Sequence, residues 1–168
     1  NGLKRHKEAL ECSNKALELD QGQYNFSAFT NKAVALNGLK RYDEALECSN
    51  KAFEINPKNE WTWLVRGLVF NGLKRYDEAL ECSNKALDLD PNNDLILNNK
   101  AWALSNLGRH DEALECSNKA LDLDPNSAWA FTNKAWALNG LKRHKEALEC
   151  SNKALDLDPN SIPNWYMS

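Results

Sequence analysis

Residues 127–159 read SAWAFTNKAWALNGLKRHKEALECSNKALDLDP, and this stretch decides the fold because most of the chain repeats it. Its central phrase EALECSNKA occurs five times. The copies begin at residues 8, 44, 78, 112 and 146, at intervals of 36, 34, 34 and 34 residues. A fixed period of this length is typical of proteins built from stacked structural repeats. The sequence therefore predicts an array of similar units.

Each unit is predicted to contain two helices. In the quoted stretch, Phe131, Ala135 and Leu138 recur at helical spacing in the first half, and the second half is rich in strong helix formers around Ala147. The pair Asn139-Gly140 lies between the halves and predicts the turn that joins them. Neither helix is long enough to be stable alone, so the units are expected to stack.

The end of each unit is marked by proline. Asp-Pro-Asn recurs at 90–92, 124–126 and 158–160, where proline stops one helix and polar residues cap the next. This register predicts full repeats at about 26–57, 60–91, 94–125 and 128–159. Residues 1–20 are predicted to form a second helix without its partner, and residues 162–168 to begin another repeat.

The repeat resembles the tetratricopeptide family, in a microbial-type array. The residues that match the family pattern in one unit are Trp63, Gly67, Phe70, Tyr76, Ala79, Ala86 and Pro91. The resemblance covers the whole chain, although serine replaces the large aromatic expected in the second helix. It implies an all-α fold, a right-handed superhelical solenoid of antiparallel helix pairs whose first helices line a concave groove.

Spacing of three and four residues identifies the first-helix positions that are expected to face this groove. The predicted groove residues are Trp61, Leu64, Leu68, Asn71, Leu95, Asn98, Trp102, Trp129, Thr132, Trp136 and Asn139. Exposed tryptophan is typical of binding hot spots, and asparagine can hydrogen-bond an extended backbone. For Trp102 and Trp136 two interpretations stay open, since they either line the groove or pack between adjacent first helices.

These features predict a protein–protein interaction scaffold, not an enzyme, that binds a peptide or helical segment of a partner in the groove. Two alternatives remain. The array is a recognition arm of a larger multidomain enzyme, or it self-assembles as a homo-oligomer through its uncapped ends. Some family members hold a terminal carboxylate with lysine and asparagine, and the corresponding columns here lack that set, so acidic C-terminal peptides are not expected as ligands.

Other functions are not predicted. The net charge is -3 and the isoelectric point about 5.7, without the basic stripe of a nucleic-acid binder, and no apolar run is long enough to span a membrane. The five cysteines occupy one column with no Cys-x-x-Cys spacing, so we interpret them as small buried groups in a reducing, cytoplasmic compartment. No cofactor, metal or catalytic residue is predicted.

Overall fold

The computed structural model describes residues 2–19 and 25–159, and in these ranges every regular element is an α-helix. The helices are α1 (Gly2–Leu19), α2 (Phe26–Gly38), α3 (Tyr42–Ile55), α4 (Glu60–Gly72), α5 (Tyr76–Leu89), α6 (Asp94–Asn106), α7 (His110–Leu123), α8 (Ala128–Gly140) and α9 (His144–Leu157). The all-α class is thereby confirmed for the described residues. The predicted beginning of a further repeat at 162–168 lies outside them.

The chain divides into two compact units, Asn1–Pro91 and Asn92–Ser168. In the first unit each helix packs against the next one in the chain: α1 against α2, α2 against α3, α3 against α4, and α4 against α5. In the second unit the same pattern joins α6 to α7, α7 to α8 and α8 to α9. First helices also contact one another, α2 with α4 and α6 with α8. Within each unit, a first helix is therefore enclosed by second helices and by another first helix.

Small residues allow this close stacking. In the first unit, one core cluster combines Ala33 and Ala45 with Leu36, Val65 and Val69, all of which are fully or almost fully buried. The serines that replace the family's large aromatic are also buried at the equivalent positions in α3, α5 and α7. Their hydroxyls donate to backbone carbonyls of the preceding turn, so no polar group is left unsatisfied at these positions.

The linkers begin each first helix with a side-chain cap, and Asp-Pro-Asn precedes the caps of α6 and α8. Asn25, Asn59, Asn93 and Ser127 each accept a hydrogen bond from backbone N–H groups in the first turn that follows. For example, Asn25 Oδ1 lies 2.9 Å from the Ala28 nitrogen. These bonds satisfy donors that have no partner inside the helix.

The turn inside each repeat differs from the prediction. Asn139-Gly140 forms the last helical turn of α8, and the residue in the left-handed region is Lys142, with a φ of 62°. The Arg143 N–H donates to Leu138 O at 2.9 Å, and the Lys142 N–H donates to Asn139 O at 3.0 Å, which is a Schellman motif. Lys40, Lys74 and Gly108 occupy the same position with positive φ.

The glycine at the end of the first helix is required by packing rather than by the turn. A Cβ at Gly140 would collide with the ring of His110, which belongs to the second helix of the preceding repeat. Gly72 has the same relation to Tyr42, and Gly38 to His6. One repeat position thus holds either histidine or tyrosine, and at His6, Tyr42 and His110 the ring packs against the glycine of the following first helix.

Candidate interaction surface

Each of α4, α6 and α8 has two apolar side chains that stay at least partly exposed at predicted groove positions. In the first unit these are Trp61 and Leu68, and in the second they are Leu95 and Trp102 on α6 and Trp129 and Trp136 on α8. We call the pair of the first unit, and separately the four residues of the second unit, the aromatic stripe of that unit. The two members on each helix are seven residues apart, which places them on one face two turns from each other. Leu95 is 39% exposed, and the other five are partly exposed.

Four of the predicted groove residues are buried. Leu64 and Asn98 are 1% and 0% exposed, and Asn71 and Thr132 are at most 9% exposed. First helices pack directly on one another, and these positions lie in that contact, so their side chains face protein and not solvent. Asn139, by contrast, is exposed, and its Oδ1 lies 2.7 Å from His144 Nδ1.

The indoles of Trp102 and Trp136 pack edge to face across α6 and α8. Their ring centroids are 5.0 Å apart and their planes are inclined by 72°, a geometry that aromatic pairs prefer. Both side chains remain partly exposed. The two interpretations offered by the sequence therefore combine, because the two rings pack against each other between α6 and α8 and both also remain partly exposed to solvent.

Two carboxyls of the second helices are held by arginine and are also influenced by lysine from a first helix. The hydrogen bond from Arg41 lowers the pKa of the Glu44 carboxyl in α3, and Lys32 of α2 lowers it further. The hydrogen bond from Arg143 lowers the pKa of Glu146 in α9, and Lys134 of α8 adds a smaller effect in the same direction. No position of the aromatic stripe carries a charge.

A buried amide contact joins α6 and α8 beneath the stripe. Asn133 Nδ2 donates to the carbonyl of Asn98 at 3.0 Å and to its side-chain oxygen at 3.3 Å, and both residues are fully buried. The equivalent position in α4 holds Val65, which belongs to the apolar core cluster. Sequence reasoning placed Asn98 in the groove and missed this pairing, because helical spacing does not reveal which neighbour covers a position.

A cavity of about 320 Å³ lies between α1, α2 and α4 in the first unit. Its lining residues are His6, Ala9, Cys12, Ser13, Asn31, Val34, Ala35 and Trp61. Ala9, Cys12 and Asn31 are exposed there, whereas the residues at the same repeat positions in α3 and α4, Ala45, Cys48 and Val65, are buried. The cavity therefore occupies the place that a first helix fills one repeat further along.

The cysteines are free, and their chemistry is set by burial. Burial raises the pKa of the Cys82 thiol to about 11, and it also raises the pKa values of Cys48 and Cys116. These thiols stay protonated at neutral pH and are poor nucleophiles or metal ligands. Within residues 2–19 and 25–159, no group of three or more potential metal ligands is present, and none of the helices has the length and apolarity needed to cross a membrane.

Known structures share this fold. A thermophilic TPR protein from Thermus thermophilus matches with a TM-score of 0.82 and 20% identity over 98% of this chain and 89% of that one. MamA matches with a TM-score of 0.69 and 18% identity over 92% of this chain and 89% of that one. YrrB, described as a TPR protein with an unusual peptide-binding site, matches with a TM-score of 0.66 and 26% identity over 98% of this chain and 84% of that one. No curated protein sequence matches. Sequence models of the tetratricopeptide repeat match residues 1–23, 24–92, 59–126 and 94–160, so the chain belongs to the tetratricopeptide repeat family.

Proposed function

We propose that this chain is a protein–protein interaction scaffold and that a segment of its partner binds to the aromatic stripe. The observation that carries the proposal is the exposure of Trp102, Trp129 and Trp136 beside Leu95 on adjacent first helices of the second unit. Large, partly exposed aromatic side chains supply most of the binding energy in protein interfaces. YrrB, a structural neighbour with 26% identity, is described as having a peptide-binding site.

The chemistry of the stripe restricts the partner. Because the stripe carries no charge, a bound segment gains little from ionic contacts and must present apolar or aromatic side chains. A carboxylate on that segment would lose hydration over the stripe, which has no cation to offset the loss. The proposed ligand is therefore an uncharged segment with apolar anchors, and its affinity should change little with salt concentration.

Selection from a peptide library displayed on phage, with this chain as the immobilised target, would test the proposal. Peptides with aromatic or aliphatic anchors and few acidic residues should be enriched. Trp136→Ala should weaken their binding at least tenfold, or about 1.4 kcal/mol, as measured by fluorescence titration.

Trp63→Ala is the matched control. Trp63 lies outside the stripe, packs edge to face against Phe53 with ring centroids 4.9 Å apart, and donates from Nε1 to the carbonyl of Pro57 at 2.9 Å. Its removal deletes an equally large ring from another face of a first helix and should leave peptide affinity unchanged. Equal losses in both variants, or enrichment of acidic peptides, would contradict the proposed site.

A further inference from the structure

Large apolar side chains are exposed where the second helices end. Leu123, the last residue of α7, is 44% exposed, and Leu157, the last residue of α9, is 41% exposed. Leu89, at the same repeat position in the first unit, is 47% exposed. The exposure belongs to this repeat position, because Leu89 and Leu123 are both followed by further helices of the array.

In the second unit, these leucines lie at an end that is rich in aspartate. Consecutive helices pack against each other and are joined by short turns, so α6 and α8 begin at the end where α7 and α9 finish. Residues 92–96, 121–130 and 155–159 form this end and contain no lysine, arginine or histidine. We call it the acidic end, which consists of Leu123, Leu157, Asp94, Asp122, Asp124, Asp156 and Asp158.

The opposite end of the same unit has a different balance of charge. There Arg109 forms an ion pair with Glu112 at 2.7 Å, and Arg143 forms one with Glu146 at 2.6 Å. Cations and carboxylates are therefore mixed at that end, whereas every charged residue in the segments of the acidic end is acidic. A positively charged segment is attracted to the acidic end, and a nucleic acid or an anionic lipid surface is repelled.

Two of the aspartates occupy positions where an α-helix disfavours negative charge. Asp122 and Asp156 lie in the last turns of α7 and α9, and neither turn contains a basic residue. Because the helix dipole is negative at this end, a carboxylate there is destabilising and a cation is stabilising. A lysine or arginine of a partner would offset this unfavourable arrangement, while Leu123 and Leu157 would bury apolar surface against the same partner.

We propose that the acidic end binds a basic amphipathic segment of a partner protein, with lysine or arginine on one side and apolar residues on the other. The two leucines supply the apolar contact, and the aspartates supply the charge complementarity. This ligand differs from the uncharged segment proposed for the aromatic stripe of the second unit. The inference does not depend on that proposed function, since the two surfaces use different residues.

The test is fluorescence anisotropy with a short labelled peptide that carries lysine and leucine on opposite helical faces. The full chain should bind this peptide, with a dissociation constant that rises as salt is added. Asp122→Asn combined with Asp156→Asn should raise the dissociation constant about tenfold or more, and Leu123→Ala should raise it several-fold. The aspartate variant should keep its thermal unfolding midpoint, because both side chains are exposed and oppose the helix dipole.

Glu115→Gln combined with Glu149→Gln is the matched control, because it removes the same charge from exposed positions nearer the middle of α7 and α9. It should leave the dissociation constant nearly unchanged. An equal loss in the two double variants would mean attraction by net charge alone and would overturn the proposal. Equal affinity for a peptide with serine in place of leucine, or no binding of the lysine–leucine peptide at any salt concentration, would also overturn it.

A last comparison separates this surface from the aromatic stripe. Trp136→Ala should bind the lysine–leucine peptide as tightly as the wild type does. If that variant loses affinity while the aspartate variant keeps it, the peptide occupies the stripe and the acidic end is not its site. Failure of the stripe to bind uncharged peptides would leave the result at the acidic end unaffected.

Discussion

Replacement of Gly72 by alanine should have two opposing effects on the free energy of unfolding, a gain from helix propensity and a loss from overpacking. Gly72 is the last residue of α4, where alanine is intrinsically favoured over glycine by about 1 kcal/mol. A Cβ at this position would lie 2.6 Å from Cε1 and 2.7 Å from Cδ1 of Tyr42, and 2.6 Å from Oδ1 of Asn37. Such contacts are about 1 Å shorter than a normal carbon–carbon separation, so the ring must move.

The magnitude follows from these two terms. Overpacking of this kind costs about 1–3 kcal/mol, which exceeds the gain in propensity through most of its range. We expect Gly72→Ala to lower the free energy of unfolding by about 1 kcal/mol in the wild-type background. In a Tyr42→Ala background the ring is absent and only the side-chain amide of Asn37 has to move, so the same substitution should lower the free energy of unfolding by clearly less than in the wild type.

Urea denaturation followed by far-UV circular dichroism on the four proteins of this double-mutant cycle measures the coupling energy. It should equal the part of the overpacking cost that the Tyr42 ring causes, about 1–2 kcal/mol. Gly2→Ala is a control, because no atom lies within 4 Å of a Cβ at Gly2. If Gly72→Ala stabilises both backgrounds equally, with a coupling below about 0.5 kcal/mol, the assignment of this glycine to ring packing is refuted.

Three further predictions concern single positions. Lys74 has a φ of 60°, so Lys74→Gly should raise the free energy of unfolding by about 1 kcal/mol in urea, and Gly108→Lys, at the equivalent turn, should lower it similarly. Arg66→Lys should cost about 1–2 kcal/mol in the same assay, because it removes the 2.7 Å hydrogen bond to Asn50 and the stacking of the guanidinium on two phenylalanine rings. The pKa of Cys82 is raised from 9.0 to about 11, so its contribution to stability is complete below pH 9 and is lost as the pH rises through 11. Cys82→Ala should therefore reduce the fall in the free energy of unfolding between these pH values by up to about 2 kcal/mol, whereas an unchanged pH profile would contradict the assignment.

Much of the fold could be predicted from the sequence, because its determinants are local. The repeat period and the apolar spacing predict alternating helices, and the Asp-Pro-Asn linkers are followed by the capping residues Asn93 and Ser127. The predicted second helix at 1–20 corresponds to α1, Gly2–Leu19. Local chemistry sufficed here since capping and helix termination depend on residues close together in the chain.

The surface was predicted less well, because exposure depends on neighbours that are distant in sequence. Helical spacing gave the direction of Trp61 and Trp102 but could not show how far the next first helix extends over the same face. Leu64 and Asn98 lie one turn from exposed stripe positions and are fully buried. The glycine of the Asn-Gly pair was interpreted as a turn signal for the same reason, since its neighbour is a ring from another repeat.

The second helices of the repeats vary much less in sequence than the first helices do. The second helices keep the phrase EALECSNKA unchanged, so they are nearly interchangeable and carry little information about which repeats pack together. The first helices differ at both buried and exposed positions. Buried Asn133 meets Asn98 in one unit, whereas Val65 at the same repeat position lies in an apolar cluster.

A buried amide is stable only opposite a hydrogen-bonding partner, so these positions favour some neighbouring repeats over others.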